Sequence, residues 1–178
     1  YGSQQNGRCI NRLVLFKKIM IYLSGRITTT NKIGLMFSYN ANHTTKSMLK
    51  KNIKYTAVDN GCFSQPDKYT DEGFIKFLKK LNLTDTLFAV APDVVGDNVA
   101  TKKRSLPMLR KIRGLGYKAA YVAQDGETPL SVYWDELDCL FIGGTTEWKI
   151  SQCAAELIKE AKKKISGFIW EELILLRA

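Results

Sequence analysis

Only one histidine, His43, occurs in the 178 residues, and the four cysteines (Cys9, Cys62, Cys139, Cys153) include no CxxC pair. Zinc centres draw on close-set Cys and His pairs, so no metal site is expected, and unpaired cysteines suit a reduced, cytoplasmic setting. His43 lies in the polar stretch NANHTTKS, where a lone histidine reads as a loop residue before it reads as a catalyst. No apolar run approaches the ~20 residues of a membrane span. The segment LVLFKKIMIYL (13 to 23) is interrupted by Lys17 and Lys18, and no small-residue cleavage site follows it. Neither a membrane span nor a signal peptide is therefore expected. Neither GxGxxG nor GxxxxGKS/T appears, so the fingerprints of dinucleotide and P-loop nucleotide binding are missing, and no cofactor is expected.

The composition that is there is ordinary in one respect and unusual in another. Hydrophobic residues make up 45% and charged residues 25% of the chain, the proportions of a globular domain, and the length fits one domain with a real core. The formal net charge is +10, with a pI near 9.4. Such a balance favours a polyanionic partner such as nucleic acid, although lysines that merely solvate helix faces give the same total.

One pattern recurs along the chain. The stretch LFAVAPDVVGD (87 to 97) is a short apolar run that ends at Pro92 and delivers Asp93 and Asp97 into a loop. YTAVDNGCF (55 to 63) ends on Asp59 and Asn60, AAYVAQDG (119 to 126) on Gln124 and Asp125, and CLFIGG (139 to 144) on Gly143 and Gly144. Short apolar runs closed by turn residues read as buried strands. Strands that all end in polar or glycine residues are how an α/β enzyme assembles a site at their carboxyl ends.

Taken in order, residues 1 to 12 are polar and aperiodic, a poorly structured leader is expected over 1 to 18, and a single domain is expected over 19 to 178. IMIYL (19 to 23) and IGLMFSY (33 to 39) are strand candidates, and SMLKKNIK (47 to 54) suits a short helix. Thr70 can cap a helix whose Phe74, Phe77, Leu78 and Leu81 fall at i, i+3, i+4 and i+7, a core-packing stripe. A basic helix is expected over Thr101 to Gly116, carrying Lys102, Lys103, Arg104, Arg110, Lys111 and Arg113. Pro107 should limit its first turn or kink it. Ser151 can cap a last helix with Cys153, Ala154, Leu157, Ile158 and Ala161 inward, ending in Lys162, Lys163 and Lys164, which favour a helix C-terminus. Strand ends at 59, 93 and 124 repeat at the ~30 residues of a βα unit, which implies a parallel sheet. The sheet is then either doubly wound or part of a (β/α)8 barrel, and a complete barrel typically needs ~250 residues, more than are present.

Each candidate site residue has a bland reading beside the functional one. Asp-Asn-Gly at 59 to 61 is a common turn, yet a carboxylate after a buried strand would face a strand-end cleft. Asp93 has the same placement. Asp97 suits the N-cap of the following helix better than a ligand, and Asp125 beside Gly126 suits a turn. Gln124 at a strand end points to a hydrogen-bonding role. Gly143 and Gly144 allow close approach of backbone N–H groups to a planar ligand, or they simply make a loop. Glu147 and Trp148 are ambiguous, because Trp148 suits the core equally well. Together these groups suit a purine: a carboxylate can accept two N–H bonds from a guanine edge, glutamine and backbone N–H groups can serve its other positions, and a second carboxylate remains for proton transfer.

In this order and spacing, DNGCF, APDVVGD, VAQDG and FIGGTTEWK resemble the tRNA-guanine transglycosylase superfamily, in particular its small phage and bacterial branch. Members of that branch are linked to 7-deazaguanine insertion into DNA or described as queuine tRNA-ribosyltransferases. The likeness covers about residues 19 to 164. It implies a (β/α)8 TIM-barrel fold and exchange of a guanine in tRNA or DNA for a 7-deazaguanine base through a covalent glycosyl-enzyme intermediate. It implies Asp59 as general acid/base, with Cys62 where the family usually has glycine. Asp93 becomes the guanine-reading carboxylate, Gln124 a base contact, and Gly143 and Gly144 donors of backbone N–H groups. Glu147 is a weaker match. Lys102, Lys103 and Arg104 would hold phosphates of the nucleic acid.

The departures carry their own expectation. After Lys164 that branch continues into a His-x-Gly-Arg-Val-Asn-Ser strand and a later nucleophilic Asp, whereas this chain reads ISGFIWEELILLRA. No residue matches the nucleophile, and the zinc-binding cluster of tRNA-directed members is absent. The expectation is a barrel incomplete at its C-terminal end, from a fragment or an altered reading frame. Two rivals follow: a non-catalytic nucleic-acid-binding module derived from that family, and an unrelated α/β hydrolase. The missing nucleophile elbow and metal cluster argue against the hydrolase.

Overall fold

The computed structural model describes residues 21–23, 33–39, 56–81 and 86–165. The leader at 1–18, Cys9, His43, the expected helix at 47–54 and the chain after Ile165 lie outside the described residues. Six strands make one sheet: β1 (Ile21–Leu23), β2 (Ile33–Ser38), β3 (Thr56–Asp59), β4 (Thr86–Val90), β5 (Ala119–Ala123) and β6 (Cys139–Ile142). Their order in the sheet is their order in the chain, and every neighbouring pair is parallel. The helices are α1 (Asp71–Lys80), α2 (Asn98–Gly114), α3 (Thr146–Lys149) and α4 (Gln152–Lys164). The α/β class with a parallel sheet therefore holds.

Strand alternation decides which face each residue covers. Phe37, Val58, Ala89, Ala119, Tyr121, Ala123 and Leu140 belong to one buried cluster, together with Phe74 and Leu78 of α1, Met108, Leu109 and Ile112 of α2, and Ala154, Leu157 and Ala161 of α4. The intervening residues Ala57, Phe88, Val90, Ala120 and Cys139 form a second, separate cluster, with Met36, Val122 and Phe141 packed against it. The helices that pack on the sheet thus share one face, and the other face is apolar in its own right. Consecutive parallel strands joined by right-handed crossovers put each helix on the same side. A doubly wound sheet reverses its strand order at a switch point, and these six strands do not.

The helix starts follow their caps. Thr70 accepts from Gly73 N–H at 3.0 Å, Asp97 from Ala100 N–H at 2.9 Å, and Ser151 from Ala154 N–H at 3.3 Å. The Phe74/Phe77/Leu78/Leu81 stripe is core packing, with Phe77 edge-on to Phe37 at 6.1 Å between ring centroids. Two expectations need correction. Because Asp97 is the cap, α2 begins three residues before Thr101, and Pro107 lies in its interior, on the exposed side. Cys153 is exposed, not inward; the buried face of α4 is Ala154, Leu157 and Ala161, and a residue one position before Ala154 is turned about 100° away from it.

Candidate functional site

Parallel strands end on the same edge, so Asp59 as the last residue of β3, and Asp93, Gln124 and Gly143 after β4, β5 and β6, all emerge there. Alternation carries Ala57 to Asp59, Ala120 and Val122 to Gln124, and Cys139 and Phe141 to Gly143. These three site positions therefore continue the face of the sheet opposite the described helices,.

Asp93 is the hub. Gln124 Nε2 donates to its Oδ2 at 2.9 Å, and Asn60 Nδ2 approaches its Oδ1 at 3.3 Å while also donating to Ala91 O at 3.0 Å. The Cys62 thiol points at the backbone oxygen of Asp93 (3.4 Å) and at Oδ1 (3.5 Å). Burial first, and the negative charge of Asp93 second, push the Cys62 thiol up to about 12. Cys62 is thus a protonated donor and not a nucleophile. A carboxylate offers about four lone-pair positions over two oxygens. One protein amide reaches each oxygen, so Oδ2 keeps an acceptor position, while the second position of Oδ1 is open only when the Cys62 thiol donates to the Asp93 backbone oxygen instead.

The surroundings of Asp93 are fixed from α2. Ser105 Oγ donates to Pro92 O at 2.6 Å, Arg104 donates to Asp93 O at 3.3 Å, and the Thr101 hydroxyl exchanges hydrogen bonds with Val94 N–H (2.8 Å) and Val94 O (2.9 Å). Arg104 also lies over the Tyr69 ring, 4.9 Å from its centroid, a cation–π contact.

Gln124 is fully buried, and its other amide end accepts from Gly96 N–H at 3.0 Å. Its hydrogen-bonding role is real, but both ends of the amide are engaged by the protein. Gly143 makes room for it: a Cβ there would come within 2.8 Å of Gln124 Nε2 and 2.6 Å of Val122 Cγ1. The expected N–H donor role of Gly143 needs correcting, because that N–H donates to Ala123 O at 2.8 Å. Gly144 has φ +80, and a Cβ would overlap Asp125 Oδ2. Asp125 is more than a turn residue. Its carboxylate accepts from Thr145 N–H (2.8 Å) and from the Thr145 hydroxyl (2.5 Å), so it ties the loop after β5 to the loop after β6.

Asp59 closes β3, and its backbone oxygen accepts from Tyr39 N–H at 3.1 Å. Glu147 is exposed on α3, while Trp148 beside it is buried in the core. Of the basic trio, Lys103 is exposed and Arg104 turns to Asp93. Lys102 is committed to an ion pair with the fully buried Glu127, at 2.8 Å. Asn60, Cys62 and Glu127 were not singled out as site residues by the sequence. An amide directly after a strand-end Asp was the available signal for Asn60; nothing local marked Glu127. Among the described residues no group of three or more His, Cys, Asp or Glu side chains could hold a metal ion, and no helix is long and apolar enough to cross a membrane. Comparison with known protein families, curated proteins and solved structures found no match for this chain.

Proposed function

We propose that this protein is a guanine/7-deazaguanine transglycosylase-like protein on a (β/α)8 barrel, acting on a base in tRNA or DNA. The observation that carries the reading is the Asp93 carboxylate, held by Gln124 at Oδ2 and by Asn60 at Oδ1, with an acceptor position left on Oδ2 and one on Oδ1 that the Cys62 thiol leaves open when it donates to the Asp93 backbone oxygen. Such a carboxylate complements the N1–H and 2-amino group of a guanine or 7-deazaguanine, two parallel N–H donors. In-order parallel strands with helices on one face, and a separate apolar cluster on the other, support the barrel,. Asp59 is assigned proton transfer to and from the departing and entering bases, and a nucleophilic carboxylate, not assigned among the described residues, would form the glycosyl bond. The target nucleotide would leave its stack to reach Asp93.

The test is direct binding of guanine and 7-deazaguanine, followed by calorimetry or fluorescence. Asp93→Asn keeps the shape but presents an N–H to the ligand's N–H groups. It should reduce affinity at least as much as Asp93→Ala, by about 2 kcal/mol or more. Wild-type affinity in both variants would remove the base-pocket assignment. Release of labelled guanine from tRNA or DNA then separates exchange from the second reading, a non-catalytic binding module. That reading predicts salt-dependent binding with no base exchange.

A further inference from the structure

Glu127 has no place in the chemistry described above, yet it is fully buried and charged-paired. Its partners come from three different parts of the chain. Lys102 of α2 meets Oε1 at 2.8 Å, Tyr121 of β5 donates its hydroxyl to Oε2 at 2.7 Å, and Ser131 donates to Oε1 at 2.5 Å. Its own backbone N–H donates to Gln124 O at 3.0 Å. Burying a carboxylate is unfavourable compared with a well-packed apolar side chain, so stability alone does not account for it.

What Glu127 does account for is alignment. Residues 101 to 105 of α2 hold two loops at once. Thr101, Arg104 and Ser105, at i, i+3 and i+4, share one helix face and bind Pro92, Asp93 and Val94. Lys102, about 100° round the helix, binds Glu127 and through it the turn that starts at Gln124. One helical turn thereby registers the Asp93 loop against the Gln124 loop.

We propose that Glu127 is a positioning residue: with Lys102 and Tyr121 it fixes the turn after β5 so that the Gln124 amide bridges Asp93 Oδ2 and Gly96 N–H. Its consequence for base binding rests on the reading of Asp93 given above, whereas the alignment itself does not.

The experiment is amide hydrogen exchange by NMR on Glu127→Gln and on Tyr121→Phe. The second variant removes only the hydroxyl at Oε2 and preserves the packing, so it remains informative if the first does not fold. Protection of Gly96 N–H, which depends on Gln124 Oε1, should fall by about tenfold, within the range for directly coupled neighbours. The amide of Ala91, bonded to Ala120 O within the sheet, should keep its protection. Unchanged protection at Gly96 in the folded variants overturns the proposal, as does an equal loss at Ala91, which would mark a merely structural role. Guanine affinity measured on the same samples completes the test. If wild type binds, Glu127→Gln should weaken binding about tenfold but add nothing in a Gln124→Ala background; full additivity overturns the route through Gln124. If wild type binds no guanine while Gly96 responds as stated, the alignment stands and the functional reading of Asp93 fails.

Discussion

At the scale of single residues, two glycines of this chain should respond oppositely to the same methyl group. A Cβ on Gly143 would press on Val122, on the Gln124 amide and, at 3.2 Å, on the backbone oxygen of Ala123. None of these is the free end of a flexible chain. Gly143→Ala should destabilise the fold by about 1–3 kcal/mol, as overpacking does, and disturb the amide that steadies Asp93. Gly114, the last residue of α2, has nothing within 4 Å of its would-be Cβ. Gly114→Ala should stabilise by about 0.5–1 kcal/mol through the lower entropy of the unfolded chain. Chemical denaturation of both variants checks the pair, and equal signs would refute the packing argument at Gly143.

At the scale of elements, the loops after β5 and β6 are joined by Asp125. Partial burial works against its charge, but the hydroxyl and N–H of Thr145, its own backbone N–H and the nearby Lys149 outweigh this and hold it below the usual carboxylate range. A carboxylate whose folded value is depressed contributes stability that is fully present above its unfolded value, ~3.9 for Asp. The contribution is lost as pH falls through the folded value. Wild type should therefore melt above Asp125→Asn near pH 6, and the gap should narrow below about pH 4. A gap that stays constant down to pH 2 would show that the latch does not depend on ionisation. Asp125 illustrates the limit of local reading. Beside Gly126, φ +80, it resembles any turn aspartate, and the partner that matters, Thr145, is 20 residues away.

At the scale of the whole molecule, a net charge of +10 predicts salt-dependent binding to nucleic acid, but the structure divides the basic residues by task. Arg110 pairs with Glu136 at 2.6 Å, and Arg113 reaches Asp138 at 3.4 Å; both join α2 to the connection before β6. Lys102 serves Glu127. Lys103 is the exposed member of the trio read as phosphate-binding. Lys103→Ala should lower the slope of log affinity against log salt by about 1, measured by anisotropy with a labelled oligonucleotide. Lys102→Ala should instead cost about 3–5 kcal/mol of stability, because it leaves a buried carboxylate without its cation. An unchanged melting temperature in Lys102→Ala would contradict the ion pair's structural role.

The sequence by itself determined the alternation of strands and helices, the caps at Thr70, Asp97 and Ser151, and the emergence of Asp59, Asp93, Gln124 and Gly143 at strand ends. These are local properties: hydrophobic period, cap chemistry and the polarity of the residue after an apolar run. Tertiary structure alone decided three things. Strand order came out sequential, with no reversal among these six strands, because pairing partners are set by crossovers and not by any segment's own composition. It turned Gln124 inward to Asp93, since both ends of its amide find partners from the loop after β4. And it assigned Lys102 to Glu127 and Lys103 to the surface. Neighbouring lysines look alike in the sequence, and only the packing of α2 against β5 makes one of them the partner of a buried carboxylate.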